Sequence, residues 1–413
     1  MKPEIKERIE KIRKGEVPGG YKETKVEIIP EGWEMKKIEN VSPLQRGFDL
    51  PSNELKNGDY PVVYSNGIVN YHSSYKVKAP GVVTGRSGTI GKVTFVEEDY
   101  WPHNTSLWVT DFKGNDPKFI YYLYLKMKLE RFGAGSGVPT LNRNDVHSFK
   151  IPLPPLPEQQ KIAEIISTWD KAIDLKEKII KDRKKLRIAI VNDLLFGLKR
   201  FDEFIKSHNY NQTKYINIPE DWDFIKIGEI ATEVSEKNGS NDDLPVLSCT
   251  KYAGLVDSLS YFKRQVFSED TSTYKQVKKN CFVYATNHID EGSIGCQNLY
   301  ENSLVSPMYT VFKTNSKVNN HFLFNLLKTR LYIFIYQVNM SASVDRRGSL
   351  RWNEFSKIRI PLPDIVEQDK IVEFINSVDK NIELLKFELI QLKEQKRGLM
   401  QLLLTGIVRV EAN

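Results

Sequence analysis

The sequence predicts an α+β protein written twice over, in which each of two globular units of short strands and helices is followed by a long helix. Three observations carry this. The phrase "IPLPPLPEQQKI" at Ile151 returns as "IPLPDIVEQDKI" at Ile360, and residues 151–201 align with 360–410 without a gap. Glu158/Glu367, Gln159/Gln368, Asp170/Asp379, Gly197/Gly406 and Arg200/Arg409 are among the identities. After the second copy, Ile371, Ile375, Val378, Ile382, Leu385, Leu389, Leu392, Lys396, Leu399 and Leu403 follow a 4-3-4-3 spacing in which only Lys396 is out of place, the a/d seam of a coiled coil. Before each copy lies a region of short alternating strands with one capped helix.

In chain order, residues 1–24 hold a short charged helix and a Gly-rich exit, "KGEVPGGYKE". Residues 25–150 form the first globular unit, with strands at "YPVVYS", "GVVTG", "KVTFVEE" and "SLWVTD" and a helix opened by the N-cap and N1 pair Asp116-Pro117. Residues 151–200 are a proline connector and the first long helix. Proline fixes φ and biases its predecessor to extended geometry, so "IPLPPLP" leaves the globular unit as a stiff strand. Helix then starts after the last proline, with Glu158 in a first turn that favours negative charge. The first seam opens with Ile162, Ile166, Trp169 and Ile173 and then meets Lys176, Arg183 and Arg187. Leu175, Ile179, Leu186, Ile190 and Leu194 are expected to carry the apolar face onward, so the seam shifts partway. Gly197 and Gly406 stop the two helices.

Residues 201–214 link to the second unit, residues 215–359, with strands at "LPVLSC", "CFVYAT" and "MYTVFK" and a helix near Asn319-Asn320. Residues 360–413 repeat the connector and long helix. "IPEGWEMKKI" from Ile29 matches "IPEDWDFIKI" from Ile218, so the duplication reaches into the globular units. The linker counterpart of residues 1–24 suggests that the N-terminal piece packs near the end of the C-terminal helix, closing a circular pseudo-symmetry.

A length of 413 residues fits two or three domains, and no apolar run reaches membrane-spanning length, so a cytoplasmic protein with no membrane role is expected. Cys249, Cys281 and Cys296 lack metal-ligand spacing and read as reduced thiols. The net charge of +7 is compatible with nucleic acid without requiring it: residues 25–150 carry 16 Lys+Arg against 14 Asp+Glu, and residues 215–359 carry 17 against 16. Catalytic motifs are missing. There is no Walker A spacing, nucleophile elbow, metal-spaced histidines, adenine-methyltransferase signature or nuclease carboxylate cluster.

The loops remain. "GRSGTIGK" reads either as bare turn chemistry or as a DNA contact through Arg86, Ser87, Thr89 and Lys92, and its counterpart "NHIDEGSIG" supplies Asn287 and His288. "YSNGIVNYHSSY" offers Tyr64 and Asn66, and "SCTKYAGLVDS" offers Lys251 and Tyr252, side chains of the kind that read base edges. Arg143, Arg346, Arg347 and Arg351 precede the proline phrases and suit backbone or guanine contact.

Taken together, the twice-used "IPLP…EQ.KI", the "GTIG" and "GSIG" turns and the ending "LLLTGIVRV" resemble the specificity (S) subunit of type I restriction-modification systems over essentially the whole chain. The resemblance implies two target recognition domains, residues 25–150 and 215–359, each reading half of a bipartite sequence in double-stranded DNA. It implies that the two long helices form an antiparallel coiled coil. It also implies a non-catalytic chain with no cofactor of its own. Two methyltransferase (M) subunits would use S-adenosylmethionine, and two restriction (R) subunits would use ATP and Mg²⁺. Phe374 and Phe387, outside the seam, are candidates for docking the M subunits. Two rival readings stand beside this one: a two-headed protein-binding coiled-coil adaptor, and an enzyme with an unrecognised site.

Overall fold

A computed structural model describes residues 3–134, 139–239, 244–340 and 348–411. The chain folds as two units, Met1–Lys178 with Lys386–Asn413, and Ile179–Leu385, so each unit takes one globular domain and a part of each long helix.

In the first unit, Leu44–Arg46, Ser106–Val109, Gly81–Gly85 and Val93–Val96 form an antiparallel sheet in that order. A second sheet orders Gly67–His72, Tyr60–Tyr64 and Trp101–Pro102, the last pair parallel. The second unit repeats the plan in different residues. Ala231–Val234, Tyr309–Thr314, Phe282–Ala285 and Ile294–Cys296 form the antiparallel sheet. Gly254–Asp257, Val246–Thr250 and Asn302–Val305 form the other, again with one parallel pair, extended by Lys275–Lys278. The two predicted capped helices are Pro117–Met127 and Asn320–Leu327, where Asp116 and Asn319 accept bonds from backbone N–H groups of the first turn. Their apolar faces, Phe119, Ile120 and Leu123 in one and Phe322, Leu323 and Leu326 in the other, enter the cores.

The proline phrases are paired strands as well as connectors. Lys150–Leu153 runs antiparallel to Glu34–Lys37, and Arg359–Leu362 to Asp223–Lys226. Each ladder has only two strands, so a proline without an N–H is tolerated. The two repeated phrases, "IPEGW" with "IPLP" and "IPEDW" with "IPLP", are thus halves of one structural device.

The Glu-Gln that follows each phrase closes this device. Glu158 is buried, accepts a bond from Trp33 Nε1 at 2.9 Å and takes both nitrogens of Arg409 at 2.6 and 2.9 Å. Glu367 does the same with Trp222 Nε1 at 3.1 Å and Arg200 at 2.8 and 2.9 Å. Gln159 accepts from Asp116 N at 3.0 Å and donates to Asn115 and Pro154 O, both at 2.9 Å. Gln368 accepts from Asn319 N at 2.8 Å and donates to Lys317 and Pro363 carbonyls. The glutamate fastens the root of one long helix to the tail of the other, and the glutamine fastens it to the domain helix.

The long helices are Leu156–Leu195 and Ile365–Leu404, 40 residues each or about 60 Å. The first begins before Pro157 rather than after it, because a proline in the first turn lacks only an N–H that no helical carbonyl would meet. The expected seam shift does not occur. Leu175, Ile179 and Leu186 are exposed, while Ile180, Val191 and Leu194 are buried. The original heptad therefore runs on through Lys176, Ile180, Arg183, Arg187 and Leu194, and acids of the opposite helix meet two of its cations, Lys176 and Arg187. Ile162, Ile166, Ile173, Ile371, Ile375, Ile382 and Leu403 are buried, whereas Trp169, Val378, Leu385, Leu389, Leu392 and Leu399 are half-buried, as a two-helix seam requires. Within each unit the two helix segments run antiparallel: Asp170 pairs with Lys396 and Lys176 with Glu388 in one, Arg187 with Asp379 in the other.

The circular arrangement is present within the first unit. Arg8 donates to Ile407 O at 2.7 Å and Tyr21 to Gly406 O at 2.7 Å, as Tyr210 does to Gly197 O at 3.1 Å in the second. Gly406 has φ +72° and Gly197 φ +68°, and a Cβ on either would lie about 2.5 Å or less from Pro30 or Pro219.

Lys126 donates to Leu404 O at 3.0 Å, the last carbonyl of the second long helix. Burial pushes its pKa down to about 8, opposed in part by Glu27. The unfolded chain keeps this lysine protonated to about pH 10.4, so it binds more protons than the fold between those values. Stability contributed here therefore rises with pH across that window. Thermal unfolding of wild type against Lys126→Met should show the wild type gaining between pH 8 and pH 10.

Candidate nucleic-acid interface

In the first unit the structure gathers most of the predicted residues around one turn. Gly88 and Gly91 both have φ +83°, and a Cβ on Gly91 would lie 2.3 Å from Glu130. Ile90 packs against the core next to Gly133. The glycines and isoleucine are therefore explained by the turn itself, and the side chains around them are free to differ. Leu141 N donates to Arg86 O at 2.8 Å and Ser87 bridges Thr140, which brings the turn beside Arg143. Lys92 Nζ donates to Asn66 O and holds the hairpin that carries Tyr64. Arg143, Thr89 and Lys92 are exposed, while Arg86 and Ser87 are half-buried.

His103 and Thr105 are part of this surface and were not legible as such. The Tyr64 ring lies 4.3 Å from that of His103, Ser65 N donates to Thr105 Oγ1 at 3.2 Å, and Arg86 N donates to Thr105 O at 2.9 Å. Burial lowers the His103 pKa, with Asp49 opposing. The signal that could have found them was the short polar run "HNTS" between two apolar stretches.

The second unit separates its candidates into two groups. Lys251, Tyr252 and His288 lie together: Lys251 Nζ is 3.9 Å from Glu291, His288 Nδ1 is 3.4 Å from the same carboxylate, and Tyr252 is 86% exposed. Lys328 staples the two loops, donating to Lys251 O at 2.7 Å and Gly292 O at 2.6 Å. Its pKa is lowered by burial. Asn287 and Arg351 line a different groove of about 980 Å³ with Lys275, Glu233 and Trp352. Arg346 and Arg347 lie outside the described residues.

Arg143 and Arg351 are not equivalent. Leu350 N donates to Thr286 O at 2.9 Å as Leu141 N does to Arg86 O, so Arg351 stands where Asn142 stands. The Asn142 side chain accepts from Asn144 N at 3.0 Å, whereas Arg351 caps its short helix with no side-chain bond. An arginine here works against the local preference, so the helix start does not account for it. Arg351→Asn should raise stability by up to about 1 kcal/mol yet weaken DNA binding, measured by denaturation and by DNA titration of the same variant.

Residues 30–182 and 219–394 match the family model described as "Type I restriction modification DNA specificity domain". The chain belongs to that family. The type I specificity family is the non-catalytic DNA recognition component of type I restriction-modification systems, associating with DNA and with the other subunits. The chain is 29% identical over 318 residues to the type I restriction enzyme MjaVIII specificity subunit of Methanocaldococcus jannaschii, covering 72% of this chain and 71% of that one. The putative MjaX specificity subunit of the same organism is 22% identical over 95% of this chain and 97% of its own. The crystal structure of the type I S subunit from M. genitalium has a TM-score of 0.52 at 18% identity, covering 90% and 96% of the two chains. A chain from the structure titled for complex assembly and conformational transition of the type I R-M system has a TM-score of 0.54 at 13% identity, covering 92% and 99%. These two show the same fold. Among the described residues no helix is long and apolar enough to cross a membrane.

Proposed function

We propose that each globular unit reads one half of a bipartite, asymmetric sequence in double-stranded DNA, and that the long helices set the length of the unread spacer between the halves. One observation supports this most. Both units keep the same strand order, yet the side chains on corresponding turns differ: Arg86, Thr89, Lys92 and Arg143 in one, Lys251, Tyr252, Asn287, His288 and Arg351 in the other. A shared scaffold carrying unlike donors and acceptors suits two unlike half-sites.

The finer partner assignment follows from the same reading. Two methyltransferase subunits, using S-adenosylmethionine, dock on apolar side chains that the seam leaves outside: Leu175, Phe387 and Ile390 in the first unit, Leu186 and Leu384 in the second, all exposed. Phe374 is a poorer candidate than Phe387, because Phe201 packs edge-on against it at 6.1 Å. Two restriction subunits using ATP and Mg²⁺ complete the complex, which acts in the cytoplasm. Mapping methyladenine across the host genome with and without this gene tests the reading. Loss of one bipartite motif is the expected result, and an unchanged methylation pattern would overturn it.

A further inference from the structure

Four cations stand at seam positions that a coiled coil ordinarily fills with apolar side chains, Lys176, Arg183, Arg187 and Lys396, and three of them are set apart: Lys176, Arg187 and Lys396. Each meets an acid on the other helix. Lys396 pairs with Asp170, Lys176 with Glu388 at 2.8 Å, and Arg187 grips Asp379 with two nitrogens, one of them at 2.7 Å. The cations are the shielded members: the Lys396, Lys176 and Arg187 side chains are 16%, 24% and 27% exposed, against 34%, 45% and 44% for Asp170, Glu388 and Asp379. The two acids Asp170 and Asp379 occupy the same position in the repeat, and their partners share one antiparallel register. Arg187 lies seventeen residues beyond Asp170, and Asp379 lies seventeen before Lys396.

Apolar seam residues tolerate a slip, since one Ile or Leu replaces another. The charges do not. A slip of one heptad would set Asp170 against Leu389 or Leu403, and Arg187 against Val372 or Lys386. Each alternative leaves a shielded charge without its partner, the means by which a polar seam residue specifies register at a cost in stability. In the first unit the lock also grips the reading domain. Tyr122, on the domain helix, donates to Asp170 Oδ2 at 2.6 Å and to Ser167 Oγ at 3.2 Å.

We infer that Asp170–Lys396, Lys176–Glu388 and Arg187–Asp379 are positioning pairs that hold the helices to a single register and so restrict this chain to one spacer length. This rests on the spacer role proposed above. The pairs touch no DNA, and they act on the accuracy of the spacer rather than on either half-site.

The test uses the full chain in complex with its methyltransferase subunits, with genome-wide methyladenine mapping as the readout. The wild type should methylate one bipartite motif with one spacer length; if it methylates no bipartite motif, the spacer role itself fails. The combined variant Asp170→Leu, Lys176→Leu, Arg187→Leu, Asp379→Leu, Glu388→Leu and Lys396→Leu puts leucine in place of all three pairs and keeps both helix-root clamps, so it is expected to fold. Methylation at sites whose spacer differs by about three base pairs, the length of one heptad, should rise at least about tenfold, equivalent to about 1.4 kcal/mol of lost discrimination, with both half-sites unchanged. The exchanged pairs Asp170→Lys with Lys396→Asp, and Arg187→Asp with Asp379→Arg, should restore the single spacer. An apolar variant that unfolds, or that keeps one spacer length, overturns the inference, as does relaxed spacing in the exchanged variant.

Discussion

Arg200→Leu should destabilise the second unit by about 3–5 kcal/mol, the range for removing one member of a buried ion pair. The Arg200 side chain is 5% exposed and bonds Glu367 twice, Asp221 at 2.7 Å and Phe204 O at 2.7 Å. Burial works against its charge, but the bonds to Glu367 and Asp221 outweigh that and hold it protonated. Leucine in its place would leave two shielded carboxylates without their cation, Glu367 keeping its bond from Trp222. The equivalent Arg409→Leu removes the cation from Glu158 alone, and the Arg409 side chain is 40% exposed, so the loss there should be smaller. Burial alone would raise the Asp221 pKa, yet Arg200 overrides it and holds the carboxyl below its ordinary value. A depressed folded pKa stabilises above the unfolded value and is lost as pH falls through the folded one. The difference between wild type and Arg200→Leu should therefore narrow below about pH 4. Hydrogen exchange over residues 215–234 reads the effect in this unit, and equal protection in the two proteins at neutral pH would contradict the clamp.

Removing residues 174–180 together with residues 386–392 should select sites with a shorter spacer. Seven helical residues span about 10.5 Å, which is about three base pairs at 3.4 Å each. The two segments face each other in the observed register, so Lys176 and Glu388 leave as a pair while Asp170–Lys396 and Arg187–Asp379 stay matched. A whole heptad also returns the seam to the same face within about 20°. Methyladenine mapping should show a spacer shortened by about three base pairs with both half-sites retained. Altered half-sites would contradict a purely spacing role for the helices.

Much of the architecture was legible because it is written in local chemistry. Asp116-Pro117 and Asn319 announce helix starts, alternating runs such as "GVVTG" announce strands, and the glycine pair at 197 and 406 announces helix ends. Two features were not. The first helix was read as shifting its seam because Lys176, Arg183 and Arg187 interrupt the apolar count. Whether a cation belongs in a seam depends on an acid roughly 200 residues away, which periodicity does not report. The meaning of Glu158 was hidden for the same reason, since Trp33 and Arg409 reach it from opposite ends of the chain.

The candidate interface was legible in outline only. Alignment pointed to the two corresponding turns, and the glycines there serve the backbone. It could not show that Thr105 joins Arg86 and Ser65, or that Asn287 lines one groove with Arg351 while His288 sits with Lys251. Such groupings follow from strand order, and strand order crosses long stretches of unrelated sequence.

The most direct test of two independent readers is to exchange residues 38–149 for the corresponding domain of another specificity subunit and to map methyladenine in the host. One half of the motif should change, with the other half and the spacer length kept. A motif altered in both halves, or in neither, would contradict the account.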